Sequence, residues 1–144
     1  HSEIVITNRL AELALVSRRL DEIAMAYALP GGVLADMQVA LDEVLANIID
    51  YAYPDGHPHE IRIEFRIPND VLDAQIEDGG QPFDPLSIKS ANRSAPLQER
   101  EPGGWGIHFV KGLMSEVAYS RVYNKNRLVL TKRFRAEENS SGSA

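Results

Sequence analysis

The segment from Ile61 to Ile67 alternates without exception, with Ile61, Ile63, Phe65 and Ile67 on one side and Arg62, Glu64 and Arg66 on the other. Successive side chains of a strand point to opposite faces, so this run reads as a strand with one face buried and one in water. Asn69 and Asp70 suit a turn into a second strand, Val71 to Glu77, whose Leu72, Ala74 and Ile76 face one way. A hairpin with a single apolar face is marginal alone and needs a covering layer. The upstream chain offers two helices for that task. Within Arg9 to Tyr27, Leu10, Leu13, Leu20, Ile23 and Ala24 recur at spacings near three and four, opposite Arg18, Arg19, Asp21 and Glu22. Thr7 or Asn8 is placed to cap this helix through a side-chain oxygen. Pro30-Gly31-Gly32 breaks it. A second helix, about Val33 to Ala52, buries Met37, Leu41, Val44, Leu45, Ile48 and Ile49 and ends before the Pro54-Asp55-Gly56 turn.

Glu3 to Thr7 reads as a short first strand. Gly79 to Gly104 has no sustained periodicity, which suits a lid or binding loop. A helix over about Gly106 to Met114 follows, then strands over about Glu116 to Tyr123 and Arg127 to Phe134, with Asn124-Lys125-Asn126 as the hairpin turn. This order predicts an α+β fold: a two-layer α/β sandwich with a mixed, mostly antiparallel sheet and helices on one face. The 144 residues suit one domain, expected over 3–136, with 137–144 a disordered tail.

A formal net charge of −6 argues against generic binding to nucleic acid or to anionic membranes. No cysteine is present, so disulfide and thiolate chemistry are excluded. No apolar run approaches the ~20 residues of a membrane helix, and no basic segment leads into a short apolar stretch as in a secretory leader. A cytoplasmic location is the expectation.

Three clusters carry candidate chemistry. Glu43 and Asn47 are four apart on the second helix and share one face, where a carboxylate and a carboxamide oxygen can hold a magnesium ion and its waters. Glu43 can equally orient a hydroxyl and take its proton. Taken alone, the pair reads first as a solvated polar stripe. Asp78-Gly79-Gly80-Gln81-Pro82-Phe83-Asp84-Pro85 follows a strand directly; a buried aspartate there can accept from a purine amine, and glycine permits close backbone approach. The plainer reading is a strand closed by a Gly/Pro turn. Pro102-Gly103-Gly104-Trp105-Gly106-Ile107 opens the last helix, where free backbone N–H groups and the helix dipole favour phosphate. It matches neither the dinucleotide G-x-G-x-x-G nor the P-loop pattern. His57-Pro58-His59 has no third ligand nearby in sequence and reads as two exposed loop histidines.

In this order and spacing the clusters resemble the GHKL ATPases, with their Bergerat-type ATP-binding fold, and specifically the anti-sigma-factor serine kinases. The resemblance runs from about Ile4 to Phe134 and is carried by Glu43 to Tyr53 (EVLANIIDYAY), Asp78 to Pro85 (DGGQPFDP) and Gly103 to Arg121 (GGWGIHFVKGLMSEVAYSR). It implies Mg-ATP as ligand, Asn47 as magnesium ligand, and Glu43 as general base or hydroxyl-orienting carboxylate. It further implies that Asp78 binds the adenine amine and that Gly80 lets backbone approach the ring. Gly103, Gly104, Trp105, Gly106 and Ile107 would form the phosphate segment, with Arg100 as a phosphate contact from the lid. The partner it implies is an anti-anti-sigma protein of the STAS type, with a sigma factor held and released by partner switching, and homodimers occur among such kinases. Two positions depart from the family pattern: Tyr51, where a histidine is frequent, and Pro102, where a basic residue is frequent. A non-catalytic nucleotide-binding module is the alternative. A histidine-kinase catalytic domain ranks lower, because the first helix carries no histidine to accept phosphate.

Overall fold

The computed structural model describes residues 1–82 and 110–134. Five strands, β1 (Ser2–Thr7), β2 (Glu60–Arg66), β3 (Val71–Asp78), β4 (Glu116–Val122) and β5 (Lys125–Arg133), form one sheet in the order β1-β2-β3-β5-β4. All four ladders are antiparallel. Two helices, α1 (Leu13–Tyr27) and α2 (Gly31–Tyr51), complete the elements, and residues 110–113 are helical before β4.

The alternation read from the sequence sets the layering. Ile61, Ile63 and Phe65 of β2, Leu72, Ala74 and Ile76 of β3, and Leu128 and Leu130 of β5 are all buried. They share one core with Val16 and Leu20 of α1 and Met37, Val44, Leu45 and Ile48 of α2. Full burial of such side chains stabilises by roughly 1.5–3 kcal/mol each, so this covered face is the main source of stability. A Lys132–Asp36 ion pair of 2.9 Å ties β5 to α2, and the same ammonium donates to the Leu113 carbonyl at 2.5 Å.

The start of the first helix differs from expectation. Leu10–Glu12 is a 3-10 turn, and Leu10, expected on the buried face, is exposed. Neither Thr7 nor Asn8 caps the helix through its side chain. Instead the Thr7 backbone N–H and hydroxyl both donate to the Glu12 carboxylate, each at 2.7 Å. Asn8 is drawn off to the segment before β2, donating to the His57 carbonyl and accepting from the His59 N–H. Thr7 has bonded onward to Glu12 and Asn8 across the chain, and the tight turn leaves Leu10 exposed.

The β4–β5 hairpin also differs. Lys125 and Asn126 belong to β5, and the turn is only Tyr123 and Asn124, with Val122 paired to Lys125. Both turn residues have positive φ, 51° and 64°, the arrangement of a two-residue primed turn whose twist matches the strands. Asparagine tolerates this region, whereas an aromatic residue there is strained. Tyr123 is 93% exposed and so receives little packing in return. Tyr123→Asn is therefore expected to stabilise the fold by about 1 kcal/mol, seen as a higher urea midpoint with an unchanged slope.

Candidate functional site

The period that builds the core also places a carboxylate beneath the helices. In β3 the buried phase runs Leu72, Ala74, Ile76 and then Asp78, which is only 3% exposed. Its Oδ1 accepts from the Gly80 N–H at 2.9 Å and from Asn126 Nδ2 at 2.9 Å. Burial pushes its pKa above the ordinary carboxylate value; the Asn126 amide, the Gly80 N–H, the Arg121 guanidinium and the Tyr53 hydroxyl pull it back. Tyr53 is raised in turn, by its own burial and then by the charge of Asp78.

Gly80 answers to a steric demand within the protein. A Cβ built on it would stand 2.4 Å from the Ala52 carbonyl oxygen and 2.7 Å from the Ala52 Cβ. The strand end is pressed onto the end of α2, where Gln81 N–H donates to the Ala52 carbonyl at 2.9 Å and Gln81 Nε2 to the Tyr51 carbonyl at 2.7 Å. Close approach, expected here toward a ligand ring, is made toward the helix.

Asn47 is buried in α2 at 3% exposure, and its Nδ2 has no hydrogen-bond partner among the described residues. Buried polar groups are nearly always satisfied, so an orphaned carboxamide of this kind fits a site completed by a polar ligand. Glu43, one turn earlier, is half-buried. Asn47 precedes Ala52 by five residues, about 7.5 Å along a helix. Glu43 and Asn47, one turn apart, share one face of α2. Arg100, Gly103, Gly104, Trp105, Gly106 and Ile107 lie outside the described residues, as does the tail 137–144.

Four residues of this corner were not singled out by sequence: Tyr53, Tyr119, Arg121 and Asn126. Arg121 Nη1 donates to the Gly80 carbonyl at 2.9 Å and to Asn126 Oδ1 at 3.1 Å. A signal for Asn126 existed. It sits two residues before Leu128 and four before Leu130, a polar residue in the buried phase of a strand. His59 also departs from expectation. It is not a free loop histidine but stacks on Tyr53, with ring centroids 4.3 Å apart, and bonds the Asp55 carboxylate at 2.9 Å. Among the described residues no cluster of three or more His, Cys, Asp or Glu is arranged to hold a metal.

An antiparallel sheet covered on one face by helices, with a buried carboxylate at a strand end beside the end of α2, defines an α+β two-layer domain. Residues 6–132 match the model of the Histidine kinase-like ATPase domain, and the chain belongs to that family. The resemblance read from the sequence is borne out. The chain is 29% identical over 112 residues to the serine/threonine-protein kinase BtrW of Bordetella bronchiseptica, covering 78% of this chain and 79% of that one. It is 29% identical over 109 residues to the serine-protein kinase RsbW of Oceanobacillus iheyensis, covering 73% and 68%. Among solved structures, the RsbU and RsbW domains of a Mycobacterium tuberculosis protein superpose with a TM-score of 0.61 at 16% identity, over 92% of this chain and 32% of that one. A histidine kinase domain from Erythrobacter litoralis gives 0.55 at 13% identity, over 91% and 63%. These two show a shared fold. Among the described residues no helix is long and apolar enough to cross a membrane.

Two outcomes follow from the corner geometry. Gly80→Ala sets a Cβ against the Ala52 carbonyl and is expected to lower stability by about 1–3 kcal/mol, measured by thermal or urea denaturation. Asp78→Asn keeps an acceptor but removes the buried charge. Because the pKa of Asp78 is raised by folding, the folded state holds the proton more tightly than the unfolded state. The contribution of Asp78 is therefore most favourable below the unfolded value of about 3.9 and declines as pH rises through the folded value. The thermal midpoint of Asp78→Asn should exceed that of the wild type near neutral pH, and the gap should close toward acid. A gap independent of pH would contradict the raised pKa.

Proposed function

We propose that this chain is an anti-sigma-factor serine/threonine kinase. It binds Mg-ATP along α2 and transfers the γ-phosphoryl group to a serine or threonine of a STAS-type anti-anti-sigma partner. A sigma factor is then held or released according to the phosphorylation state of that partner. The observation that carries this reading is the buried Asp78 acceptor at the end of β3 together with the buried Asn47 of α2, whose Nδ2 has no partner among the described residues, in a chain similar to two proteins named as serine kinases.

Asp78 accepts from the adenine amine, and a buried acceptor discriminates strongly against a ligand that leaves it unpaired. Asn47 meets the phosphate end, its carboxamide oxygen serving as a ligand for magnesium. When bound, that ion neutralises charge on the phosphate oxygens. Glu43, one turn away and half-buried, orients the acceptor hydroxyl and takes its proton as the oxygen bonds to the γ-phosphorus and the bond to the ADP oxygen breaks. Little covalent help is needed for this transfer, so positioning supplies most of the rate. Arg100 and the segment 103–107 are assigned to the phosphates by resemblance alone.

Glu43→Ala should lower transfer to a serine-bearing partner by about 100-fold or more while ATP affinity changes little. Asn47→Ala should weaken ATP binding in magnesium far more than in chelator. Calorimetry and radiolabel transfer measure both. ATP binding by the wild type with no transfer to any STAS-type partner would instead support the non-catalytic module.

A further inference from the structure

Asn126 is the residue of the corner whose geometry is most completely determined. It pairs with Asp78 across the β3–β5 ladder and is 4% exposed. Its Nδ2 donates to Asp78 Oδ1 and to the Gln81 carbonyl, each at 2.9 Å. Its Oδ1 accepts from the Tyr119 hydroxyl at 2.5 Å and from Arg121 Nη1 at 3.1 Å. An asparagine amide has two donor hydrogens and two acceptor lone pairs, and these four bonds use each of them. The orientation of the amide is thereby settled. Turning it over would set the carbonyl oxygen against a carboxylate and the NH2 against a guanidinium. A donor therefore always faces Asp78 Oδ1, joined there by the Gly80 N–H.

We propose that Asn126, held by Tyr119 and Arg121, is a positioning residue that keeps Asp78 an acceptor and so sets the preference for a purine carrying an amine at the recognised edge over one carrying a carbonyl. This rests on the reading of Asp78 as the adenine-binding residue. With two donors converging on Oδ1, the ring amine is met by Oδ2. A neutral Asp78 would present a hydroxyl donor, which suits a ring carbonyl as in guanine and not an amine. Burial drives the carboxyl toward that neutral form, and the Asn126 amide is the foremost of the groups opposing it. The other groups facing the carboxylate are the Gly80 N–H on its own strand end, Arg121 on β4 and the Tyr53 hydroxyl beyond α2. His59 stacks behind Tyr53 and is left in place in every variant.

The test is calorimetric binding of Mg-ATP and Mg-GTP, in a pH series run from neutral into acid, to wild type, Asn126→Ala, Tyr119→Phe and Asp78→Asn. ATP binding requires ionised Asp78 and fails as pH drops through its pKa. Losing a donor raises that pKa, so in Asn126→Ala the acid limb should move to higher pH. ATP affinity near neutral pH should fall about tenfold, and the ATP-to-GTP ratio should fall with it. Tyr119→Phe, a smaller change suited to the case where Asn126→Ala does not fold, should move both in the same direction by less. A purely structural role would lower the melting temperature of either variant and leave acid limb and base preference as in the wild type, which overturns the proposal. Asp78→Asn separates the two layers of argument. If it binds ATP normally, the adenine reading of Asp78 fails. If it loses ATP while both other folded variants keep the wild-type profile, the role of Asn126 alone fails.

Discussion

Asp78 carries its charge on the covered face of the sheet, where removal from water raises the free energy of the ionised form, and the Tyr53 hydroxyl and three further segments supply the groups that offset it. The Gly80 N–H comes from the strand's own continuation, Asn126 from the neighbouring strand β5, and Arg121 from β4 at the sheet edge. Each group is itself fixed by a second contact. Arg121 is held on the Gly80 carbonyl, Asn126 on Gln81 and Tyr119, and Gln81 on the last carbonyls of α2. The strand end, the hairpin and the helix end are therefore one interlocked unit, because a buried charge is tolerated only with its hydrogen bonds made.

Helix α2 does two jobs that demand different residues. Met37, Leu41, Val44, Leu45 and Ile48 anchor it to the sheet, and that anchoring holds Asn47 in place between two core positions. A functional side chain on a well-packed helix keeps its position better than one on a loop. The cost is local: Asn47 is nearly as buried as its apolar neighbours, and its amide finds no partner among the described residues.

Much of this was legible in the sequence, for reasons that mark where legibility ends. The alternation of Ile61 to Ile67 and the three-to-four spacing in both helices are periodic, and periodicity needs no knowledge of the rest of the chain. Strand, helix and layer assignments on that basis agree with the structure. Asp78 is visible because a carboxylate continues the buried phase of Leu72, Ala74 and Ile76. Readings that relied on local chemistry fared worse. Asn8 can cap a helix, but it bonds His57 and His59 forty-nine and fifty-one residues away. Asn124-Lys125-Asn126 looks like turn material, yet the ladder extends through Lys125 and Asn126 and leaves Tyr123 in the turn. Asparagine is the common element. Its side chain serves caps, turns and buried networks alike, and only the tertiary fold decides which.

The corner is also less stable than an apolar version of itself would be, and this bears on how the domain responds to its ligand. A raised carboxylate pKa and a buried amide nitrogen with no partner among the described residues both describe groups that a purely structural selection would replace. Under the proposed function a nucleotide supplies what each requires, an amine for the first and phosphate oxygens for the second. Binding energy is then drawn from relieving penalties already present in the folded protein, which adds to whatever new contacts form. Ligand that binds only the folded state raises stability by mass action, and here that gain falls on the end of α2 and the β4–β5 hairpin. Those elements are the ones interlocked through Gln81, Arg121 and Asn126.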